Sequence, residues 1–168
     1  IVAAVQSADR RIDFRGAAGI ADARTGAVMT PDTPYFIASI TKMFTAAVAM
    51  RLYEQKRLEL ESPVSQYLPP ALTRGIHVYK GTDYSAQLRV VELISQSSGL
   101  ADYESDKRRG GKSVIDELKA GQDRAVSTAE AVEITRGLPA HFPPSTPGKA
   151  YYSNTNYRLL GAVIETVT

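Results

Sequence analysis

"FIASITKMFTAAVAM", residues 36–50, is the stretch on which the reading of this chain turns. Its apolar density predicts a helix over 39–57, apolar nearly all round until Glu54, and such a helix belongs inside a domain. Yet Ser39 stands at its head, and Lys42 follows three residues on. Positions i and i+3 of a helix are neighbours, with Cβ atoms about 5–6 Å apart, so the lysine amine can lie beside the serine hydroxyl. A serine hydroxyl becomes a strong nucleophile only when a base takes its proton. Burial beside the positive end of a helix lowers a lysine pKa and makes the free amine accessible. The same helix end favours an oxyanion developing at the Ser39 backbone N–H. Taken alone, the pair has a second reading, in which Ser39 is an N-cap and Lys42 snorkels to the surface.

The chain as a whole narrows the choices. Its 168 residues suffice for one compact domain, which at this size buries roughly 70% of its unfolded surface. A net charge of +2 gives no argument for nucleic acid or a membrane surface as partner. Cysteine is absent, which removes disulfides, thiolate nucleophiles and Cys-ligated zinc. The two histidines, His77 and His141, fall far apart in predicted loops with no partner at metal-ligand spacing. Both are expected to be solvated loop residues, and no metal or cofactor is expected. The longest apolar run, Met43 to Met50, is far short of a membrane span. The chain opens on Ile1, as a mature or trimmed product would, so a removed signal stays open.

Along the chain, Ile1 to Gln6 and Arg11 to Ile20 read as a β-hairpin around "SADR". "DARTG" (22–26) is a turn and "TPDTP" (30–34) a loop. "LESPVSQYLPP" (60–70) is an irregular, proline-punctuated connector. The spacing of Val90, Leu93 and Ile94 predicts a helix over Leu88 to Ser97, with Gly99 as its C-cap. "SVID" at 113 and "STAE" at 127 match the capping-box pattern, predicting helices over 113–120 and 128–137. "DKRRGGK" (106–112) reads as a solvated loop and "HFPPSTPGKAYYSN" (141–154) as a rigid one. A last helix is predicted over Tyr157 to Thr168. One hairpin against five or so helices is a poor sheet, because two strands alone are marginal.

There is no G-x-S-x-G elbow. A second motif, Tyr152-Ser153-Asn154, closes the rigid loop. A tyrosine whose pKa is lowered by a nearby lysine can act as general base and acid. An asparagine offers both a donor and an acceptor to a substrate amide. Read alone, the same residues can be a core tyrosine followed by an N-cap asparagine.

Three segments together resemble the serine β-lactamase-like superfamily, in its class C β-lactamase, D-alanyl-D-alanine carboxypeptidase and esterase branch. They are "IASITKMFTAAVAMRLYEQKRLELESPVSQYLP" (37–69), "LISQSSGL" (93–100) and "PPSTPGKAYYSNTNYRLLGAVIE" (143–165), in the family's order. The resemblance implies an α+β, β-lactamase/transpeptidase-like fold, with a helical region packed on a partial antiparallel sheet. It implies one partial domain over 1–168, with a hairpin and loop at 1–36 and a helical region at 37–168. It also implies an acyl-serine hydrolase acting on an amide, β-lactam or ester bond. Ser39 would be the nucleophile, Lys42 its activating partner, Tyr152 the general base and acid, and Asn154 a substrate contact. The alternative is a non-hydrolytic penicillin-binding sensor or scaffold of the same family. A small-molecule or peptide substrate and an extracytoplasmic (periplasmic or secreted) location are expected. Two departures stand out. Where the family usually reads His-Thr-Ser-Gly-Leu, this chain has Gln96-Ser97-Ser98-Gly99-Leu100, a change expected to affect packing alone. The family's Lys/His-x-Gly strand has no counterpart before Thr168. The C-terminal strands are therefore expected to be absent, leaving the chain on its own nearly inactive, with a sheet edge open to association.

Overall fold

Ser7 Oγ donates to Asp9 Oδ1 at 2.5 Å, and Arg10 takes a left-handed φ of 57°, so "SADR" turns the chain as its composition demands. The computed structural model describes residues 1–168. The turn joins β1 (Val2–Gln6) to β2 (Asp13–Ala17), paired antiparallel with Val2 opposite Ala17 and Gln6 opposite Asp13. The second strand is shorter than expected, because Gly19 breaks it with a φ of 99°. Ile20 instead opens β3 (Ile20–Asp22), which pairs with β4 (Ala27–Val28) around the expected turn. There Asp22 Oδ1 accepts from Arg24 N at 2.8 Å. These four strands belong to a compact unit of residues Ile1–Ala38, and Ser39–Thr168 form a second.

In the second unit α1 spans Thr41–Glu54, preceded by a 3-10 turn over Ala38–Ile40. It stops where Lys56 adopts φ 58° and the amides of Lys56 and Arg57 return to the carbonyls of Tyr53 and Leu52, a Schellman ending. The expectation of an interior helix is corrected. Only Ala49 and Leu52 are buried, and Met43 (70% exposed), Phe44 (63%), Val48, Met50 and Tyr53 face outward. An all-round apolar helix can bury just the side that meets a neighbour, here α6 (Asn154–Val167).

Helix α2 is a single turn, Pro70–Thr73. A hairpin that the sequence reading missed follows, β5 (Val78–Tyr79) with β6 (Thr82–Asp83). Its turn residues Lys80 and Gly81 both have positive φ, 47° and 85°, as a two-residue hairpin loop requires. Helix α3 (Val90–Ile94) is shorter than expected. Gln96, not Gly99, is the left-handed residue that ends it, with φ 61° and Ser97 N returning to Glu92 O at 3.0 Å. Gly99 has a different task. A Cβ there would lie 2.1 Å from the Phe142 carbonyl oxygen, so glycine lets residues 141–142 cross against the chain.

Helices α4 (Val114–Lys119) and α5 (Thr128–Arg136) start at the expected caps. Ser113 and Asp116 close a full capping box, whereas Ser127 makes only its own half, to Glu130 N at 3.2 Å. The "DKRRGGK" stretch is a loop, largely exposed, with Arg108 paired to Glu117. Helix α6 begins three residues before the expected Tyr157. Its Leu159, Leu160 and Val163 are fully buried among Leu58, Leu88, Val90, Leu93 and Leu100, and it packs on α1, α3 and α5. No helix is long and apolar enough to cross a membrane.

Candidate active site

Because α6 packs on α1, the start of one and the head of the other come together. Ser39 Oγ accepts from Lys42 Nζ at 3.3 Å and from the Tyr152 hydroxyl at 2.7 Å. Lys42 Nζ also donates to Asn154 Oδ1 at 2.7 Å. The same ammonium lies 5.0 Å from the centre of the Tyr152 ring and 5.6 Å from that of Tyr157, within cation–π range. All four residues singled out in the sequence therefore converge on one point. The expected burial of Lys42 is not met: it is half-buried and Ser39 is exposed. With α1 open on its outer faces, Lys42 is held by specific partners rather than by exclusion of water.

The two neighbouring tyrosines are driven apart. For Tyr152, burial raises the phenol pKa, but the combined interactions with Lys42 and Ser39 outweigh it and leave the group below the ordinary 10.0. For Tyr151, burial and then the hydrogen bond to Asp106 both raise it. Adjacent like groups split in this way mark which one can give and take a proton.

Asn154 is fixed from both ends. Its Oδ1 faces the lysine, while its Nδ2 donates to Glu104 and, at 3.4 Å, to Asp102 Oδ2. A flipped amide would set its donors against the ammonium and its oxygen against two carboxylates, so the partners decide the orientation. The Asn154 backbone N–H donates to Asp102 Oδ1 at 3.0 Å. Asp102 is almost fully buried, and it places a carboxylate at the positive end of α6 that no local side chain caps.

Sequence reasoning missed Asp102 and Glu104, and it set Gln96 aside as a packing position. The structure corrects that last point: Gln96 bonds the Tyr151–Asn156 segment through both its carbonyl and its side chain. Both histidines were expected to be solvated, and for His77 this is corrected. His77 is fully buried, with Nε2 2.8 Å from Ser98 O, and burial holds its pKa below the ordinary 6.5. His141 is exposed, as expected, with Nε2 2.9 Å from Asp106 Oδ2 and its ring stacked on that of Tyr151 at 3.5 Å.

The α+β elements and their helical body correspond to a β-lactamase/transpeptidase fold. A D-stereospecific amidohydrolase from Streptomyces sp. superposes with a TM-score of 0.61 at 30% identity, over 80% of this chain and 37% of that one. The family model described as Beta-lactamase matches residues 2–168, and the chain belongs to that family. Among curated relatives, the esterase EstB of Burkholderia gladioli is 28% identical over 158 residues, 92% of this chain and 38% of the relative. A putative D-alanyl-D-alanine carboxypeptidase of Escherichia coli (strain K12) is 28% identical over 168 residues, 95% of this chain and 36% of the relative. The chain thus spans little more than a third of the length of these relatives.

Proposed function

We propose that this chain carries the nucleophile and the proton-transfer group of a serine hydrolase that cleaves ester or amide bonds through an acyl-serine. The observation that carries the reading is the pair of contacts on Ser39 Oγ, from Lys42 Nζ at 3.3 Å and the Tyr152 hydroxyl at 2.7 Å. When Tyr152 is ionised the second contact reverses, and Ser39 donates to the phenolate. Ser39 Oγ then attacks the substrate carbonyl as its proton passes to Tyr152. The same proton goes on to the leaving oxygen or nitrogen, which makes the tyrosine base and then acid. Lys42 acts through its charge, keeping the phenolate accessible, and Asn154 holds Lys42 in place. In the deacylation step a water gives its proton to Tyr152 and attacks the acyl carbon, and Tyr152 returns that proton to Ser39 Oγ as the acyl–serine bond breaks.

The names of the relatives, esterase, putative carboxypeptidase and D-stereospecific amidohydrolase, denote hydrolysis of ester or amide bonds, which supports this reading. Within this reading 1–168 is part of a larger catalytic domain, and the second oxyanion donor comes from residues outside it. A missing donor of that kind costs about 10²- to 10³-fold in rate, so the chain by itself is nearly inactive. The reading also places the protein outside the cytoplasm, which cell fractionation checks. The test is turnover by the full-length protein on a panel of p-nitrophenyl esters, D-amino acid amides, D-alanyl-D-alanine peptides and a chromogenic β-lactam. Ser39→Ala is expected to lower turnover of every accepted substrate by more than about 10³-fold. Turnover undiminished in that variant would overturn the assignment.

A further inference from the structure

We propose that Gln96 is a positioning residue that sets the reach of Tyr152 toward Ser39 and Lys42. The proposal rests on the acyl-serine reading above and adds to it a residue outside both motifs.

Tyr152 lies in extended chain ahead of α6, with an exposed ring, so little packing fixes its direction. Its neighbours fix it instead. Gln96 O accepts from Tyr151 N at 2.9 Å, and Gln96 Oε1 accepts from Ser153 N at 2.9 Å. One residue thus holds the amides on both sides of Tyr152. The side-chain oxygen is itself aimed by Asn156, whose Nδ2 donates to it at 2.6 Å. Asn156 is fully buried and is fixed in turn by Ser98 Oγ, which donates to Asn156 Oδ1 at 2.6 Å. Two N–H donors facing Gln96 Oε1 settle the amide's orientation and leave its Nε2 buried without a partner. A buried orphan donor is costly, so a residue chosen only to fill this space would not be a glutamine. The acceptor is what the site needs. The backbone adds to this: Gln96 sits at φ 61°, a conformation that favours glycine or asparagine over glutamine.

Two variants separate placement from stability. Gln96→Asn suits the left-handed backbone and keeps an amide, but it is one methylene shorter and withdraws the oxygen from Ser153 N. Gln96→Glu keeps the reach and the acceptor, and it exchanges the orphan N–H for a carboxylate oxygen. Two readouts are taken on the full-length protein: the Tyr152 phenol titration by ¹³C-tyrosine NMR, assigned against Tyr152→Phe, and kcat with KM. Gln96→Asn is expected to move the Tyr152 titration upward by more than half a pH unit and to lower kcat about tenfold with KM little changed. Gln96→Glu holds the same two amides, so its kcat is expected to stay within a few-fold of the parent, although its added negative charge can itself raise the Tyr152 titration. A folded Gln96→Asn protein whose Tyr152 titrates as in the parent overturns the proposal, and so does an equal loss in both variants. The titration needs no substrate, so it decides on Gln96 even if the parent hydrolyses nothing on the panel, a result that would count against the acyl-serine reading alone.

Discussion

Tyr152 is where charge, geometry and sequence meet most closely. Its hydroxyl touches Ser39, its ring lies beside the Lys42 ammonium, and its pKa falls below the ordinary value although burial pushes the other way. A base must be ionised to act, so kcat/KM should rise with pH through the Tyr152 pKa and level off before the ordinary tyrosine range. Tyr152→Phe is expected to lower kcat by about 10²-fold or more and to abolish that rising limb, while the thermal midpoint stays near the parent's. A pH–rate profile of the two proteins checks this, and a limb retained by the phenylalanine variant would assign it to another group. At this scale the sequence was generous with residues that act through local spacing. Ser39 and Lys42 are one helical turn apart, and Tyr152 and Asn154 share one motif. Asp102, Glu104 and Gln96 were hidden because their contacts with the Tyr151–Asn156 segment bridge about fifty residues or more, for which no periodicity exists.

Helix α1 shows the limit of patterning at the scale of an element. Its apolar composition was legible, and its start and Schellman end fell within a few residues of expectation. Its burial was not legible, because an apolar face states only that something can cover it. Here Met43, Phe44, Val48 and Met50 stay open, an exposed patch of the kind that drives association. We expect the 168-residue chain alone to self-associate at micromolar concentration, and Met43→Glu with Phe44→Lys to reduce that association. Sedimentation velocity reads the outcome, and a chain that stays monomeric without those changes would mean that its open surfaces are tolerated. Smaller elements failed for simpler reasons. The β5–β6 hairpin has two-residue strands, too short for alternation to register, although Lys80-Gly81 was a usable turn signal. Gly99 was read as a helix cap, whereas the Phe142 carbonyl pressing on it belongs to a segment forty residues away.

At the scale of the molecule, the family was legible because three segments occur in one order, and the Beta-lactamase match over residues 2–168 agrees. The β-lactamase/transpeptidase fold follows from that order rather than from the strands, which are short and pair only in twos. What joins fold to chemistry is the packing of α6 on α1, which carries Tyr152 and Asn154 to a serine more than a hundred residues earlier. We propose that this packing makes Ser39 a nucleophile. Intact mass spectrometry of the full-length protein after incubation with a penicillin or an activated ester tests it most directly. One acyl adduct per chain is predicted, mapped to Ser39 by peptide digestion and absent from Ser39→Ala. An adduct that persists at full stoichiometry in Ser39→Ala would contradict the claim.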